Sequence, residues 1–299
     1  MHEHIVVLNP EAAENYPDRY ESEERIIDQA VRQLDAVKAA GIDTLVDVTV
    51  MPMGRSMRRI KEIAHRTTLN VIVATGMYTF DEVPAPFTML GAAGVDPLVD
   101  LLVRDITVGT ADTGVRSGVL KCATDRPGVT AGVARVLRAV ARAHRLTGVP
   151  ITTHTDPTSR TGLDQQRIFL EEGVDLSRVV IGHCGDTTDL AYLETLAQAG
   201  SYLGMDRFGI GTLPFDDRID TVVQMCERGY AGQMVLSHDY ASLNDQLRDS
   251  FIAAHPGWNY LYISSRVIPE LRARGITEAQ VDSMLVDAPR RIFEQQEPY

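Results

Sequence analysis

The chain has 299 residues, of which 44% are hydrophobic and 23% are charged. These values exclude an extended disordered chain, a fibrous repeat and a membrane protein, and no apolar run approaches the roughly 18 residues of a membrane-spanning helix. Forty-one acidic residues against 29 basic ones give a net charge of -12, which repels nucleic-acid phosphates and anionic lipid, so we expect neither nucleic acid nor membrane as a partner.

The cysteines are too few and too scattered for a disulfide framework. The chain has an odd number of cysteines, without Cys-x-x-Cys spacing: Cys122, Cys184 and Cys226. A reducing cytoplasm is therefore the simplest location. The opening Met-His-Glu-His also lacks the basic start and apolar stretch of a secretory signal peptide. We therefore expect a cytoplasmic protein.

Short apolar, β-branched runs alternate with amphipathic stretches along the chain. The runs are continuous in apolar character, as parallel strands buried on both faces should be. In chain order they are residues 44–48, 70–74, 117–121, 151–154, 179–183, 202–205 and 234–238. Apolar stripes at helical spacing predict helices between them. These stripes are Ile27, Val31, Leu34 and Val37; Val133, Val136, Leu137 and Val140; and Leu190, Leu193 and Leu196.

Seven strand-helix units and an N-terminal stub leave no room for a linker. Residues 1–299 are therefore interpreted as one α/β domain. A closed (β/α)8 TIM barrel fits eight such units at about 250 residues or more. A doubly wound open sheet is the alternative, although the Gly-x-Gly-x-x-Gly turn that such a sheet usually carries after its first strand does not occur here.

Polar residues of metal-binding type occur at the start of the chain and at strand ends. In His2-Glu3-His4 the imidazoles project to the same face of a strand, although a tag remnant or chance would also explain this pair by itself. Lys121, His154, His183 and Asp239 each close a separate strand-like run. In a barrel all these ends lie on one rim, where active sites are built, so the set together predicts a metal site.

Lys121 is one of only three lysines in the chain. An ammonium group cannot ligate a metal, but burial lowers the pKa of the amine. A neutral amine can take up carbon dioxide and become a carbamate, an anionic ligand whose two oxygens can bridge two ions. Together with Asp239 and a hydroxide, it would offset about three of the four charges of two divalent ions. The alternative is an ion pair between Lys121 and a carboxylate inside the barrel.

In order and spacing, these motifs resemble the phosphotriesterase family of the amidohydrolase superfamily, from residue 2 to about residue 295. They are His2-Glu3-His4, Val119-Leu120-Lys121, Thr153-His154-Thr155, Gly182-His183-Cys184-Gly185-Asp186-Thr187 and Ser237-His238-Asp239. The resemblance implies a binuclear metal centre at the C-terminal rim of the barrel. It assigns His2, His4 and Asp239 to the more buried ion, and His154 and His183 to the more exposed ion. Carbamylated Lys121 and a hydroxide would bridge the two.

Two further motifs are similar to those of the phosphotriesterase-like lactonases. They are Gly76-Met77-Tyr78 and Gly204-Met205-Asp206-Arg207-Phe208-Gly209. The resemblance implies that Tyr78 leans over the metals and that Arg207 shapes the pocket. It also implies that Trp258 lines the pocket from the loop after strand eight. As alternatives, Tyr78 and Trp258 pack loops, and Arg207 holds Asp206 or Asp186.

The implied activity is the opening of lactones, such as acyl-homoserine lactones or alkyl γ/δ-lactones, by attack of the bridging hydroxide. The expected catalytic residues are Asp239, Tyr78 and Arg207, and the expected substrate-binding residues are Tyr78, Phe80, Arg207, Phe208 and Trp258. Zinc is the first expectation for the ions, with manganese, cobalt or iron as alternatives, and the resemblance implies a homodimer. Phosphotriester hydrolysis is the alternative activity. The alternative of another class is a catalytically silent barrel with an incomplete metal site. The family that the motifs resemble normally carries a dozen or more residues before the His-x-His pair, so we expect strand one to be truncated here.

Overall fold

The computed structural model describes residues 1–89, 96–294 and 297–299. Strands and helices alternate along most of the described chain. The strands are β1 (His4–Val7), β2 (Thr44–Asp47), β3 (Asn70–Gly76), β4 (Val119–Ala123), β5 (Ile151–His154), β6 (Val179–Ile181), β7 (Tyr202–Met205), β8 (Met234–Leu236) and β9 (Ala241–Asn244). The helices are α1 (Pro10–Asn15), α2 (Glu23–Ala39), α3 (Met57–Arg66), α4 (Ala85–Met89), α5 (Pro97–Thr107), α6 (Ala131–Thr147), α7 (Thr161–Glu171), α8 (Leu190–Gln198), α9 (Phe215–Glu227), α10 (Asp249–Ala254), α11 (Ile268–Ala273), α12 (Glu278–Asp282) and α13 (Ala288–Glu294).

Strands β2 to β8 form one parallel, curled sheet in chain order, and β1 pairs with β9 in a separate parallel ladder. Each crossover between neighbouring strands of the large sheet carries at least one α-helix, as parallel pairing requires. The carboxyl ends of these strands therefore lie at one edge of the sheet. No described helix combines the length and the apolar character that a bilayer-spanning segment needs.

The segment around β1 connects the two edges of the large sheet. On one side the Glu3 N–H donates to Val46 O at 3.1 Å, and Glu3 O accepts from the Val48 N–H at 2.8 Å. On the other side the Asp239 N–H donates to His2 O at 3.0 Å. Residues 2 and 3 thus hydrogen-bond both to β2 and to the chain that leaves β8.

Most strand-like runs in the sequence coincide with strands, and the differences lie at their ends. Residues 151–154 and 202–205 match β5 and β7. Lys121 was expected to close its strand but is the third of the five residues of β4, because pairing with β5 continues to Ala123. Strand β9 was not anticipated, since only its long-range partner β1 supports it.

The helices cover the sheet with the apolar stripes seen in the sequence. In α6, Val133, Val136, Leu137 and Val140 are all buried, and each such side chain contributes about 1.5–3 kcal/mol by leaving water. Helix α6 ends where Gly148 adopts a left-handed backbone with φ of 73°, a conformation that glycine reaches without steric cost. The three cysteines are buried and free.

Candidate metal centre

His2 and His4 lie side by side at the edge where the sheet strands end. Both side chains are buried, and their ring centroids are 6.0 Å apart. His4 Nε2 lies 3.3 Å from Asp239 Oδ1, and His2 Nε2 lies 3.6 Å from the same oxygen. The period of two along an extended chain thus brings both imidazoles to one carboxylate, as the sequence predicted.

Lys121 reaches this pair from β4. Its side chain is 1% exposed, and Nζ lies 2.8 Å from His2 Nε2 and 3.3 Å from Thr153 O. The nearest contacts of the amine are therefore a ring nitrogen and a carbonyl, not the carboxylate of an ion pair. Burial lowers the pKa of Lys121 to about 8, with the charges of Asp239 and Asp206 acting in the opposite direction.

Gly76 lets β3 lie close to the backbone of Lys121. Its φ is 153°, and a Cβ at this position would lie 1.9 Å from Lys121 O. Only glycine fits this close approach, and the approach fixes the height of Lys121 in the sheet.

His154 and His183 form a second imidazole pair beside the first. His154 Nδ1 lies 2.7 Å from His183 Nε2. Each ring is held from behind by a carboxylate: His183 Nδ1 lies 2.8 Å from Asp206 Oδ1, and His154 Nε2 lies 2.5 Å from Asp125 Oδ2. These contacts orient the two remaining nitrogens toward each other, as outer carboxylates do for metal-binding histidines.

Asp239 occupies the centre of the cluster. Its Oδ2 accepts from Arg207 Nε at 2.9 Å and lies 4.0 Å from His183 Nε2. Arg207 also donates from Nη1 to Asp186 Oδ2 at 2.8 Å. Although burial raises it, the surrounding imidazoles and the Arg207 guanidinium hold the pKa of Asp239 well below its usual range. Asp239 is therefore anionic at neutral pH.

Three of these residues adopt a left-handed backbone two or three residues beyond the ends of their strands. The φ angles are 61° for His183, 63° for Arg207 and 54° for Asp239. For residues other than glycine this conformation costs of order 1 kcal/mol each, and such strain is concentrated at functional sites. The surrounding hydrogen bonds compensate for this cost and turn the three side chains into the cluster.

Three histidines of the cluster, His2, His154 and His183, are held neutral. Burial, followed by the charge of Lys121, lowers the pKa of His2 to about 4. Burial also lowers the pKa of His154, and lowers that of His183 well below its usual value. Neutral imidazoles keep a lone pair for a metal ion, whereas protonated ones have none.

This donor set fits a divalent cation. Ligand atoms of His2, His183 and Asp239 all lie within 4.8 Å of one another. His2 Nδ1 is buried and has no aligned hydrogen-bond partner, although Asp206 Oδ2 is 3.3 Å away. Neutral imidazoles combined with carboxylate are the ligands that zinc and similar ions prefer.

The expected pocket residues fall into two groups. Tyr78 and Phe80 stand against the cluster: Tyr78 Oη lies 3.3 Å from His154 Nδ1, and the Phe80 ring centroid is 5.6 Å from that of His154. Phe208 and Trp258 are 1% and 6% exposed and belong to the packed interior. The Trp258 indole N–H donates to His238 O at 2.8 Å, and this bond is the loop-packing role given above as the alternative.

Sequence reasoning missed three supports of the site, the buried Asp206 and Thr49 and the partly exposed Asp125. Asp206 directly follows β7, so the rule that selected His154 and His183 would also have selected it. Asp125 and Thr49 each lie two residues beyond the end of a strand. Their contacts with His154 and His4 come from other strands and leave no local pattern in the sequence.

Comparison with known families and proteins gives consistent similarities. The model of the phosphotriesterase family matches residues 1–293. A phosphotriesterase homology protein from Mycobacterium tuberculosis (strain ATCC 25618 / H37Rv) is 54% identical over 305 residues, which span 100% of this chain and 94% of that protein. An aryldialkylphosphatase from Saccharolobus solfataricus is 34% identical over 297 residues, which span 98% of this chain and 93% of that protein.

Two solved structures are similar over almost the whole chain. The phosphotriesterase from Mycobacterium tuberculosis has a TM-score of 0.98 and 54% identity, covering 100% of this chain and 94% of that one. A structure described as engineering organophosphate hydrolysis from a weak promiscuous lactonase template has a TM-score of 0.88 and 32% identity. That match covers 98% of this chain and 94% of the other chain.

Proposed function

This chain belongs to the phosphotriesterase family and is a metal-dependent hydrolase, and we propose that its substrates are lactones. The observation that carries the hydrolytic part of the proposal is the convergence of neutral imidazoles, one carboxylate and one buried amine at a single edge of the sheet, and the lactone part is supported by a similar structure described from a weak promiscuous lactonase template. Such a donor set serves hydrolysis, because metal ions activate water and stabilise developing negative charge.

The proposed centre holds two divalent ions. One set of ligands is His2, His4 and Asp239, and the other is His154 and His183. Lys121 would join the two sets as a carbamate, which its burial and its pKa of about 8 favour. Bound there, the ions would acidify a water molecule and polarise a carbonyl group. Zinc is the proposed metal, with manganese, cobalt or iron as alternatives.

We propose that the large sheet and the segment around β1 together make one (β/α)8 barrel, with residues 1–299 as its single domain. The hydrogen bonds of Glu3 to β2 and of His2 to the chain after β8 support this arrangement. In it, the metal ligands lie on the C-terminal rim. This is where barrel enzymes build their active sites.

Asp239 and Tyr78 would act directly on the reacting groups, and Arg207 would position Asp239 for catalysis. Asp239 would take the proton of the attacking water and pass it to the leaving alkoxide, a much stronger base than a carboxylate. Arg207 bonds Asp239 and Asp186 at once, which holds Asp239 in one orientation. The hydroxyl of Tyr78, beside His154, would donate to the ring oxygens of the lactone.

The apolar side chains point to substrates with an apolar tail. Phe80 packs edge-to-face against Tyr78 at the cluster, with 5.0 Å between the ring centroids, and Phe208 and Trp258 would support the pocket wall from inside. Acyl-homoserine lactones and alkyl γ/δ-lactones combine a polar ring with such a tail. A homodimer is retained from the family resemblance, and light scattering of the purified protein would test it.

Phosphotriester hydrolysis is the second candidate. It is favoured by the 34% identity to a protein named aryldialkylphosphatase, whereas the lactonase template named for one similar structure favours the first. Both reactions need the same activated water and the same orientation of Asp239.

Side-by-side kinetics would test the proposal. We expect kcat/KM for an acyl-homoserine or alkyl lactone to exceed that for a paraoxon-type ester, and we expect chelation to abolish both activities. Zinc added back should restore them. An ester preferred by orders of magnitude would transfer the assignment to phosphotriesters, and full activity in chelated, metal-free protein would reject the metal-dependent mechanism.

A further inference from the structure

A buried threonine and a buried aspartate stand behind His4. Thr49 Oγ1 lies 2.8 Å from His4 Nδ1. The same hydroxyl donates to Asp47 Oδ1 at 2.5 Å, and the Thr49 N–H donates to that oxygen at 3.0 Å. Asp47, Thr49 and His4 are 2%, 3% and 6% exposed, so water does not compete for these bonds.

The proton count of this chain of contacts determines the state of His4. A hydroxyl has one proton, and Thr49 donates it to Asp47 Oδ1. Toward His4 the hydroxyl must therefore accept, so Nδ1 of His4 carries a proton. Nε2 is then the nitrogen of His4 that can offer a lone pair to a metal ion, and it lies 3.3 Å from Asp239 Oδ1.

We propose that Asp47 and Thr49 are positioning residues for metal binding: they hold His4 in the Nδ1–H tautomer with Nε2 directed into the cluster. The inference rests on the proposed function, in which His4 is a metal ligand. It explains how His4 obtains the support that carboxylates give directly to His183 and His154. Outer partners of this kind typically contribute 10- to 100-fold to metal affinity.

The backbone makes this support rigid. Both bonds from Thr49 end on one oxygen of Asp47, which fixes the hydroxyl in one rotamer. The Val48 N–H between them donates to Glu3 O at 2.8 Å, one residue before His4. The end of β2 and the His-x-His segment therefore hold a common position.

A local turn motif alone does not explain the contact with His4. The same motif recurs at Asp156-Pro157-Thr158, where the Thr158 N–H and hydroxyl donate to Asp156 Oδ1 at 3.2 Å and 2.7 Å. There the threonine contacts no histidine among the described residues, and the aspartate begins a short helical turn. Thr158→Val is thus a matched control, since it removes the same local hydroxyl bond.

Zinc binding by variants of the purified protein provides the first test. Zinc content is measured after dialysis at fixed free zinc, and affinity by competition with a chromophoric chelator. We expect Thr49→Val to weaken zinc binding at the site that contains His4 by 10- to 100-fold. Thr49→Ser should restore this affinity, and Thr158→Val should match the wild type. Wild-type affinity in Thr49→Val, equal losses in both valine variants, or no rescue by serine would each overturn the inference.

The tautomer itself provides a second test, which needs no variant to fold. Nitrogen-15 NMR of the His4 ring in the zinc-loaded wild type should report a proton on Nδ1. An Nδ1 without a proton would overturn the inference. Wild-type protein that binds no zinc would instead refute the proposed function, so failure of the two proposals can be told apart.

Discussion

At the residue scale, the site depends on side chains whose pKa values burial has shifted. Burial lowers the pKa of His2, His154 and His183, so their rings are neutral at pH 7, and it lowers the pKa of Lys121 to about 8, which makes the neutral amine more accessible than in a solvated lysine. Asp239 and Asp206 show the reverse outcome, because surrounding donors and charges hold their pKa well below the usual range. The cluster therefore combines neutral donors with anionic ones, as a cation site requires.

Lys121 gives a prediction that can be measured on the residue itself. Its buried amine, with a pKa of about 8, is neutral in a larger fraction of molecules at pH 8 than a solvated lysine. Protein loaded with zinc and carbon-13 bicarbonate should therefore show one carbamate signal by NMR. Lys121→Met should abolish the signal and lower the zinc content.

Lys61 is the control for this experiment. It lies in α3, where its Nζ donates to Thr113 O, away from the cluster. Lys61→Met should keep the carbamate signal. A signal that survives in Lys121→Met but disappears in Lys61→Met would show that the carbamate forms elsewhere.

Tyr78→Phe should separate substrate orientation from metal binding. The variant loses one hydroxyl, which lies 3.3 Å from His154 Nδ1. A single hydrogen bond contributes about 0.5–1.5 kcal/mol, so we expect kcat/KM for lactones to fall about 3- to 10-fold. Zinc content should not change.

Tyr20→Phe serves as the comparison, because its hydroxyl donates to Asp245 at 3.2 Å, outside the cluster. Its lactone kinetics should equal those of the wild type. Equal kinetics in Tyr78→Phe as well would remove Tyr78 from the proposed reaction.

At the element scale, a buried ion pair ties the chain after β2 to α5. Arg55 Nη1 donates to Asp105 Oδ2 at 2.7 Å, and their side chains are 7% and 9% exposed. Arg55 Nη2 also reaches Thr110 and Ser117. The segment after β2, which contains Thr49, is thereby anchored to the loop that precedes β4.

Arg55→Ala should destabilise the protein strongly. Removal of one partner leaves Asp105 buried without its counter-charge, which typically costs about 3–5 kcal/mol in the free energy of unfolding. Urea unfolding followed by circular dichroism would measure it. Arg58→Ala is the control, since Arg58 and Asp112 are 76% and 72% exposed and such pairs contribute about 1 kcal/mol or less. Similar effects of the two variants would contradict the structural role of the Arg55 pair.

At the scale of the whole molecule, neutral buried histidines couple stability to pH. His144, whose hydrogen-bond partners lie outside the cluster, belongs to this group: its Nδ1 lies 2.7 Å from Val149 O and its Nε2 2.7 Å from Tyr299 Oη. Burial lowers its pKa, as it does for His2. Between pH 6.5 and about 4 the unfolded chain therefore binds more protons than the folded one, and stability falls as the pH falls.

Metal-free protein should accordingly be less stable at pH 5 than at pH 7.5. A pKa lowered from 6.5 to about 4, as for His2, corresponds to a loss of about 2 kcal/mol at pH 5 for that residue. Urea unfolding at the two pH values would measure the difference. Equal or greater stability at pH 5 would mean that these imidazoles are already protonated in the folded protein.

The sequence by itself determined the family, the alternation of strands and helices, and the identity of the clustered residues. Those features are local: strand-like runs have their own apolar pattern, and the residue that follows a parallel strand lies at the shared edge of the sheet. His154, His183 and Asp239 could be found in this way without knowing any contact. Asp206 was within reach of the same rule.

Only the tertiary structure decided which groups support that cluster and in what state they are held. Thr49 meets His4 across 45 residues, and Lys121 meets His2 across 119, so no local pattern reveals either contact. Burial of Phe208 and Trp258, the left-handed backbone at His183 and the lowered pKa of Lys121 arise in the same way. Desolvation and hydrogen bonding depend on everything that surrounds a group in space, and the folded chain brings those surroundings from distant parts of the sequence.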